Sequence, residues 1–268
     1  MLDKLIELIK KGDVVAFTGA GASEESGIPT FRGENGLWSK YDPKIYASLP
    51  YVFYTFLSRP SNIGEFIVDF YESLLKAKPN PIHILLSILE KRGYLKGVIT
   101  QNIDNLHTEA GTNSIAELHG NAYKFFCRYC EKIYTKKKED IESFIHNLKD
   151  ILYKSSSKIL RKKIIDFMGK CQCGRYLLPY IVFFGQNLPQ EELKKAYRII
   201  QGCKLLLCIG TSGIVFPAAN FPLLAKKNGA RIVEINPYST DLSSFADIVI
   251  REKAAIFSLR LKDYFKKA

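Results

Sequence analysis

The sequence has no apolar run near the ~20 residues that a membrane-spanning helix needs. It shows no repeat of fixed period and no low-complexity linker. Residues 1–12 alternate charged and aliphatic side chains as an amphipathic helix does, without the apolar stretch and small-residue cleavage site of a secretory leader. Cysteine is sparse, with six in 268 residues, and a chain of this length buries a full core without a disulfide framework. Acidic residues are also in deficit, 27 against 39 Lys and Arg, leaving a formal charge of +12. With 47% hydrophobic and 25% charged residues, the composition excludes disorder, collagen and coiled coil. These absences point to a soluble intracellular protein, cytoplasmic or, in a eukaryotic host, nuclear, with no membrane partner.

The positive charge clusters at residues 132–138, 154–163 and 262–267. It suits either an ordinary solvated surface or a basic patch that makes electrostatic contact with nucleic acid or another acidic partner. Charge alone names no function.

Short β-rich runs stand at residues 13–17, 97–99, 204–209, 231–235 and 247–250, several of them ending in Gly, Thr or Asn. Helical stretches at 81–92, 190–202 and 217–228 separate them. Near-continuous aliphatic strands alternating with helices predict an α/β fold, a Rossmann-like, doubly wound parallel sheet that binds ligands at the carboxyl ends of its strands. The expected division gives residues 1–30, 79–120 and 179–268 to this domain. Residues 31–78, aromatic and helical, and 121–178, which carry four cysteines around a lysine-rich helical segment, read as insertions forming a smaller lobe.

Cys127-x-x-Cys130 and Cys171-x-Cys173 are the closely paired cysteines. Four thiolates complete a tetrahedral Zn²⁺ site with no open position, which makes the zinc structural. The competing reading is free thiols or a redox pair. Gly174 suits the tight turn that lets neighbouring sulfurs face one ion, although the C-x-C half and the 40 residues between pairs depart from a usual zinc ribbon. Cys203 and Cys208 read as core residues.

Gly19-Ala20-Gly21-Ala22-Ser23 follows the first strand. Its small residues would let backbone amides approach a pyrophosphate, with the next helix's positive end assisting. Gly27 falls too late for a G-x-G-x-x-G fingerprint, so an ordinary strand-to-helix turn fits equally. Thr100-Gln101-Asn102-Ile103-Asp104-Asn105-Leu106-His107 is more specific, because neither a core nor a solvated loop needs that density of amide and carboxylate. His119, followed by Gly120, would reach the same cleft, and an imidazole there is a credible base.

Taken together, these blocks resemble the sirtuins, the NAD-dependent protein lysine deacylases. The matching residues are Gly19-Ala20-Gly21-x-Ser23-x-x-Ser26-Gly27-Ile28-Pro29-x-Phe31-Arg32-Gly33, Thr100-Gln101-Asn102-Ile103-Asp104-x-Leu106-His107, His119-Gly120, Phe184-Gly185, Gly210-Thr211-Ser212 and Asn236-Pro237, with the cysteine pairs in family order. The resemblance implies a large Rossmann-like domain and a small zinc-ribbon and helical lobe, with NAD and an acyl-lysine protein or peptide held between them. It implies that Gly19, Ala20, Gly21, Ser23, Phe31 and Arg32 lie along NAD. Gln101, Asn102, Ile103 and Asp104 would hold the nicotinamide and its ribose, and Gly210, Thr211, Ser212 and Asn236 the pyrophosphate and adenosine half. Asn102 and Asp104 would assist departure of nicotinamide, His119 would be the general base, and the products would be nicotinamide, O-acyl-ADP-ribose and free lysine. Mono-ADP-ribosyl transfer and NAD hydrolysis are the alternatives on the same fold.

Several positions depart from the pattern. The segment through Tyr71 is similar to the branch that removes acidic acyl groups with a Tyr-x-x-Arg pair, but Leu74 stands where the arginine belongs. An unpaired buried carboxylate costs several kcal/mol, so Tyr71, Leu74, Phe66 and Phe70 predict a preference for acetyl and longer aliphatic groups. Lys76 and Arg59 are the cations that could substitute. Phe184 and Gly185 would pair with substrate peptide as an added strand, although Gln186 replaces the family's glutamate. The late Gly-x-Ala that contacts adenine is missing, the segment reading Arg251-Glu252-Lys253-Ala254, and the lysine-rich residues 131–170 have no family counterpart.

Overall fold

A computed structural model describes residues 2–29 and 37–266. Phe31 and Arg32, expected along the cofactor, lie outside the described residues. Among the described residues nine strands are formed: β1 (Val14–Thr18), β2 (Leu95–Thr100), β3 (Ile115–Glu117), β4 (Gly120–Phe126), β5 (Ile133–Thr135), β6 (Leu178–Ile181), β7 (Leu205–Ile209), β8 (Arg231–Ile235) and β9 (Ile248–Ile250). They fall into two compact units, one of residues 2–28, 78–119 and 188–266, the other of the described residues in 29–77 and 120–187.

The first unit is built on a six-stranded parallel sheet in the order β3-β2-β1-β7-β8-β9. Its central strands are aliphatic on both faces, and every residue of β1 and β7 is buried. The helix Leu2–Lys10 turns Leu5, Ile6 and Ile9 inward, as its alternating sequence predicts, and carries Asp3 and Lys10 at the ends that suit the helix dipole. Pro81–Lys91 buries Ile82, Leu85, Leu86 and Leu89 and starts at Asn80, whose side chain accepts the Ile82 amide at 3.0 Å. From β1 the chain passes to β2 on one side, then returns to β7 on the other. The strand order therefore reverses between β1 and β7, where α/β sheets open a crevice.

The second unit holds an antiparallel sheet in the order β5-β4-β6 and, among the described residues, six helices. Residues 179–187, expected in the larger domain, cluster here because β6 pairs with β4. The lysine-rich insert is ordered. After β5 it forms Lys138–Ile151, which buries Ile141, Phe144, Ile145 and Leu148, and Ser157–Met168, which buries Leu160 and Ile164. Both are amphipathic, each turning one aliphatic stripe inward, although Ile159 is exposed. Phe144 and Phe167 stack at 3.7 Å between the two helices.

The helix expected over residues 217–228 begins only at Asn220, after turns closed by Ala219 N–H to Val215 O and Asn220 N–H to Pro217 O. No helix of the described residues is long and apolar enough to cross a membrane.

Candidate active site

The carboxyl ends of β1, β2, β7 and β8 bring the polar residues together. Thr18 and Thr100 end β1 and β2 as register partners, and the Gln101 amide donates to the Thr18 carbonyl at 2.9 Å. Gln101 Nε2 donates to Thr211 Oγ1 at 2.8 Å beyond β7, and Asn236 Nδ2 donates to the Thr211 carbonyl at 3.2 Å from beyond β8. Gln101, Thr211 and Asn236 thus form a polar line across the strand ends. Ser212 is exposed, and Ile103 and Ala20 are half-buried.

Gly19, Gly21 and Gly210 are needed because two turns touch backbone to backbone. A Cβ on Gly210, whose φ is +58°, would lie 2.3 Å from the Ala22 nitrogen, and one on Gly21 would lie 2.8 Å from the Gly210 Cα. Close packing of the two turns is thus one requirement that these small residues meet. The amides of Gly19, Gly21, Ala22 and Ser23 are already donated, to the carbonyls of Ile209, Gly210, Gly19 and Ala20. The expected helix after the loop is two three-residue 3₁₀ turns, Ala20–Ala22 and Glu24–Ser26, too short for a helix dipole to act.

Behind the loop, Ser23, Asn102, Asp104 and His83 form a buried network. Ser23 Oγ donates to Asp104 Oδ2 at 2.6 Å and accepts from Asn102 Nδ2 at 3.1 Å. His83 Nδ1 accepts the Asn80 amide at 3.3 Å, so its proton is on Nε2, which lies 3.3 Å from Ser23 Oγ. The serine hydroxyl therefore uses its one proton and both lone pairs. Asn102 Nδ2 also donates to the Gly19 carbonyl at 3.0 Å, and Asp104 Oδ1 accepts the Leu106 amide at 2.9 Å. Burial pushes the Asp104 carboxyl up, opposed by Ser23 and the Leu106 amide. Burial holds His83 well below its ordinary value, aided by His107, whose ring centroid is 4.7 Å away. His107 is itself lowered by burial to about 4.

His119 follows β3 and is half-buried. Its Nδ1 stands 3.0 Å from the Gln101 carbonyl. Burial lowers its pKa, with the Gln101 carbonyl opposing, so the ring is neutral at neutral pH. A carbonyl only accepts, so Nδ1 carries the proton and Nε2 presents a lone pair. That is the state required of a base.

In the second unit, Tyr71 and Leu74 are packed inside, 6% and 3% exposed. The Tyr71 hydroxyl donates to the Ala122 carbonyl at 2.8 Å, and its ring meets Phe70 and Phe167 edge-on. Both side chains are packed within this unit, where the sequence reading expects them to line an apolar acyl pocket. Lys76 is solvent-exposed at 4.0 Å from Glu72, and Arg59 is exposed as well. The Phe184 amide donates to the Ala47 carbonyl at 2.7 Å, while Phe183 and Gln186 close a turn on each other. Among the proposed peptide-binding residues, the Phe184 amide is thus already engaged.

The sulfurs of Cys127, Cys130, Cys171 and Cys173 all lie within 4.8 Å of one another. Two hairpin turns deliver them, closed by Glu131 N–H to Cys127 O and Gly174 N–H to Cys171 O, with Gly174 at φ +83° as its position requires. Tyr134 Oη stands 3.2 Å from Cys171 Sγ, and the Cys173 amide followed by this hydroxyl holds the Cys171 thiol down to about 6. Four thiols converging from two turns, one already favouring thiolate, fit a closed tetrahedral Zn²⁺ site. Cys203 and Cys208 are buried apart from this cluster.

Thr18, Asn80 and His83 were missed by sequence reasoning. The signal for His83 was local: Asn80-Pro81 marks a helix start, and a histidine at the third helical position can reach back to the cap.

Residues 19–217 match the model of the Sir2 family. A protein of Pyrococcus abyssi named NAD-dependent protein deacylase is 39% identical over 248 residues, 92% of this chain and 90% of its own length. One of Sulfolobus acidocaldarius named NAD-dependent protein deacetylase is 38% identical over 255 residues, 95% and 91% of the two chains. Among solved structures, a Sir2 homolog–NAD complex has a TM-score of 0.78 at 33% identity, covering 99% of this chain and 94% of that one. A Sir2 structure with deacetylated p53 peptide and 3'-O-acetyl-ADP-ribose has a TM-score of 0.78 at 34% identity, covering 98% of both.

Proposed function

The chain belongs to the Sir2 family, and from that premise we propose that it removes acyl groups from lysine side chains of proteins with consumption of NAD, releasing nicotinamide, O-acyl-ADP-ribose and free lysine. The observation that carries the reading is the His119–Gln101 contact, which fixes a neutral imidazole with its basic nitrogen free beside the polar strand ends. A positioned base of this kind contributes typically ~10²–10⁴-fold to a rate.

NAD would supply an electrophilic sugar carbon on loss of nicotinamide. Asn102 and Asp104 would bind the carboxamide side of the leaving group, with Ser23 and His83 holding their geometry. Gln101, Thr211 and Asn236 would hold the riboses and pyrophosphate. His119 would take a proton from a ribose hydroxyl at Nε2, while Nδ1–H stays on the Gln101 carbonyl. Phe31, Arg32, Gly19, Ala20, Gly21, Gly210 and Ser212 complete the proposed cofactor contacts. The four cysteines would hold Zn²⁺ as a structural clamp for the β4–β6 sheet.

The acyl group is proposed to be acetyl or a longer aliphatic chain. Leu74 supplies no cation for an acidic group, and the exposed Lys76 and Arg59 do not replace it. The second unit's lysine-rich helices support a weak, salt-dependent contact with nucleic acid. An enzyme that consumes NAD works where NAD is made, which supports an intracellular, cytoplasmic location.

Nicotinamide release from NAD with acetyl-, succinyl- and myristoyl-lysine peptides and without peptide tests the reading. Release that requires peptide and favours acetyl or myristoyl supports it. A succinyl preference overturns the acyl-group assignment, and release without peptide overturns the deacylase in favour of NAD hydrolysis or ADP-ribosyl transfer.

A further inference from the structure

We propose that Thr18 and His107 are positioning residues for the nicotinamide-binding turn: the imidazole fixes the Thr18 hydroxyl, which fixes Thr100 Oγ1, which receives the backbone amide of Asn102. The inference rests on the functional reading above and adds to it three buried residues, Thr18, Thr100 and His107, outside the cofactor contacts proposed there.

The parallel ladder between β1 and β2 ends at Thr18 and Thr100, with Gln101 N–H to Thr18 O as its last bond. The next amide, that of Asn102, turns away from the sheet and donates to Thr100 Oγ1 at 3.0 Å. The departure of the turn that carries Asn102 and Asp104 therefore depends on where one hydroxyl points. Thr18 Oγ1 donates to that hydroxyl at 2.8 Å, across a site where Thr18 is 0% and Thr100 3% exposed. Bulk solvent does not reach either group at such burial.

His107 completes the chain. Its Nε2 lies 3.0 Å from Thr18 Oγ1. With the Thr18 proton spent on Thr100, Nε2 must carry the proton and donate. The other ring nitrogen, Nδ1, is buried and has no hydrogen-bond partner among the described residues. The ring is therefore held by one hydrogen bond, and a fully buried imidazole with an unmet acceptor is an expensive core residue. An aliphatic side chain would pack the same space without that cost. The hydrogen bond to Thr18 is what the imidazole supplies and an aliphatic residue does not.

Replacing Thr18 by valine keeps the shape and removes the hydroxyl, and serine restores the hydroxyl without the methyl. Steady-state rates with acetyl-lysine peptide and NAD, the inhibition constant for nicotinamide, and the KM for peptide separate the roles. Thr18→Val should lower kcat about tenfold or more and weaken nicotinamide inhibition, since a buried hydrogen bond and the partners it orphans are lost. The KM for peptide should stay within about twofold, and Thr18→Ser should recover both affected constants to within about threefold. Should Thr18→Val fail to fold, His107→Gln, whose amide offers a donor near the place of Nε2, should keep the nicotinamide constant that His107→Leu loses. Equal kcat and nicotinamide inhibition in Thr18→Val and the parent enzyme would overturn the inference, as would a Thr18→Ser variant no better than valine. A parent enzyme without peptide-dependent turnover would instead overturn the functional reading.

Discussion

His119 Nδ1 and the carbonyl oxygen of Gln101, 3.0 Å apart, join the proposed base to the proposed cofactor-binding turn. The contact sets the tautomer, and burial lowers the pKa from its ordinary 6.5. The acid limb of kcat/KM, which reports the free enzyme, should therefore fall below pH 6.5. A pH–rate profile checks this, and a limb above that value would contradict the neutral-imidazole assignment.

Ser23 is the hub of the buried network. Ser23→Ala leaves the Asp104 carboxylate without its 2.6 Å donor and Asn102 Nδ2 without one of its acceptors. Hydrogen bonds to charged groups are worth about 1.5–3 kcal/mol, so urea melts should show a loss of that order, together with a raised KM for NAD. Unchanged stability would mean that water replaces the hydroxyl.

Acid should destabilise the first unit before its surface carboxylates titrate. His83, His107 and His119 are all depressed by burial, so the unfolded chain binds more protons than the folded one between the folded values and 6.5. Their contribution is complete above pH 6.5 and is lost as pH falls toward the folded values, which for His107 is about 4. That residue alone accounts for roughly 3 kcal/mol across the window. Asp104, raised by burial, acts with the opposite sign, favouring the folded state as pH falls toward its ordinary 3.8. Thermal melts from pH 7.5 to 4.5 should show a falling midpoint, less steep in His107→Gln.

Zinc removal should melt the β4–β6 sheet. A chelator, or Cys130→Ser, should abolish stoichiometric zinc and amide protection in β4 and β6, because structural zinc sites couple metal binding to folding. Protection in β1, β2 and β7 should outlast it, since that parallel ladder contains no metal ligand. Chelated protein with β4 still protected would contradict a structural metal.

Much of the first unit was readable because its strands are largely apolar and several end in polar residues. The run 231–235 coincides with β8, and 204–209 and 247–250 each overshoot the observed strand by one residue. The cysteine cluster followed from spacing. Harder to read were the roles of Gly19, Gly21 and Gly210, because a glycine needed for turn-to-turn packing looks the same in sequence as one needed for an anion. Tyr71 and Leu74 show a similar limit: helical spacing places both on one face, but only packing reveals that the face is interior. The contacts of His83 with Ser23 and of Thr18 with Thr100 could not be read, because those partners lie 60 and 82 residues away.

The most direct test of the central claim compares His119→Ala with the parent enzyme on an acetyl-lysine peptide, with circular dichroism and zinc content measured in parallel. The account predicts that kcat falls by about 10²–10⁴-fold while fold and zinc are retained. A variant that keeps the parent's rate would show that the imidazole held on Gln101 is not the base.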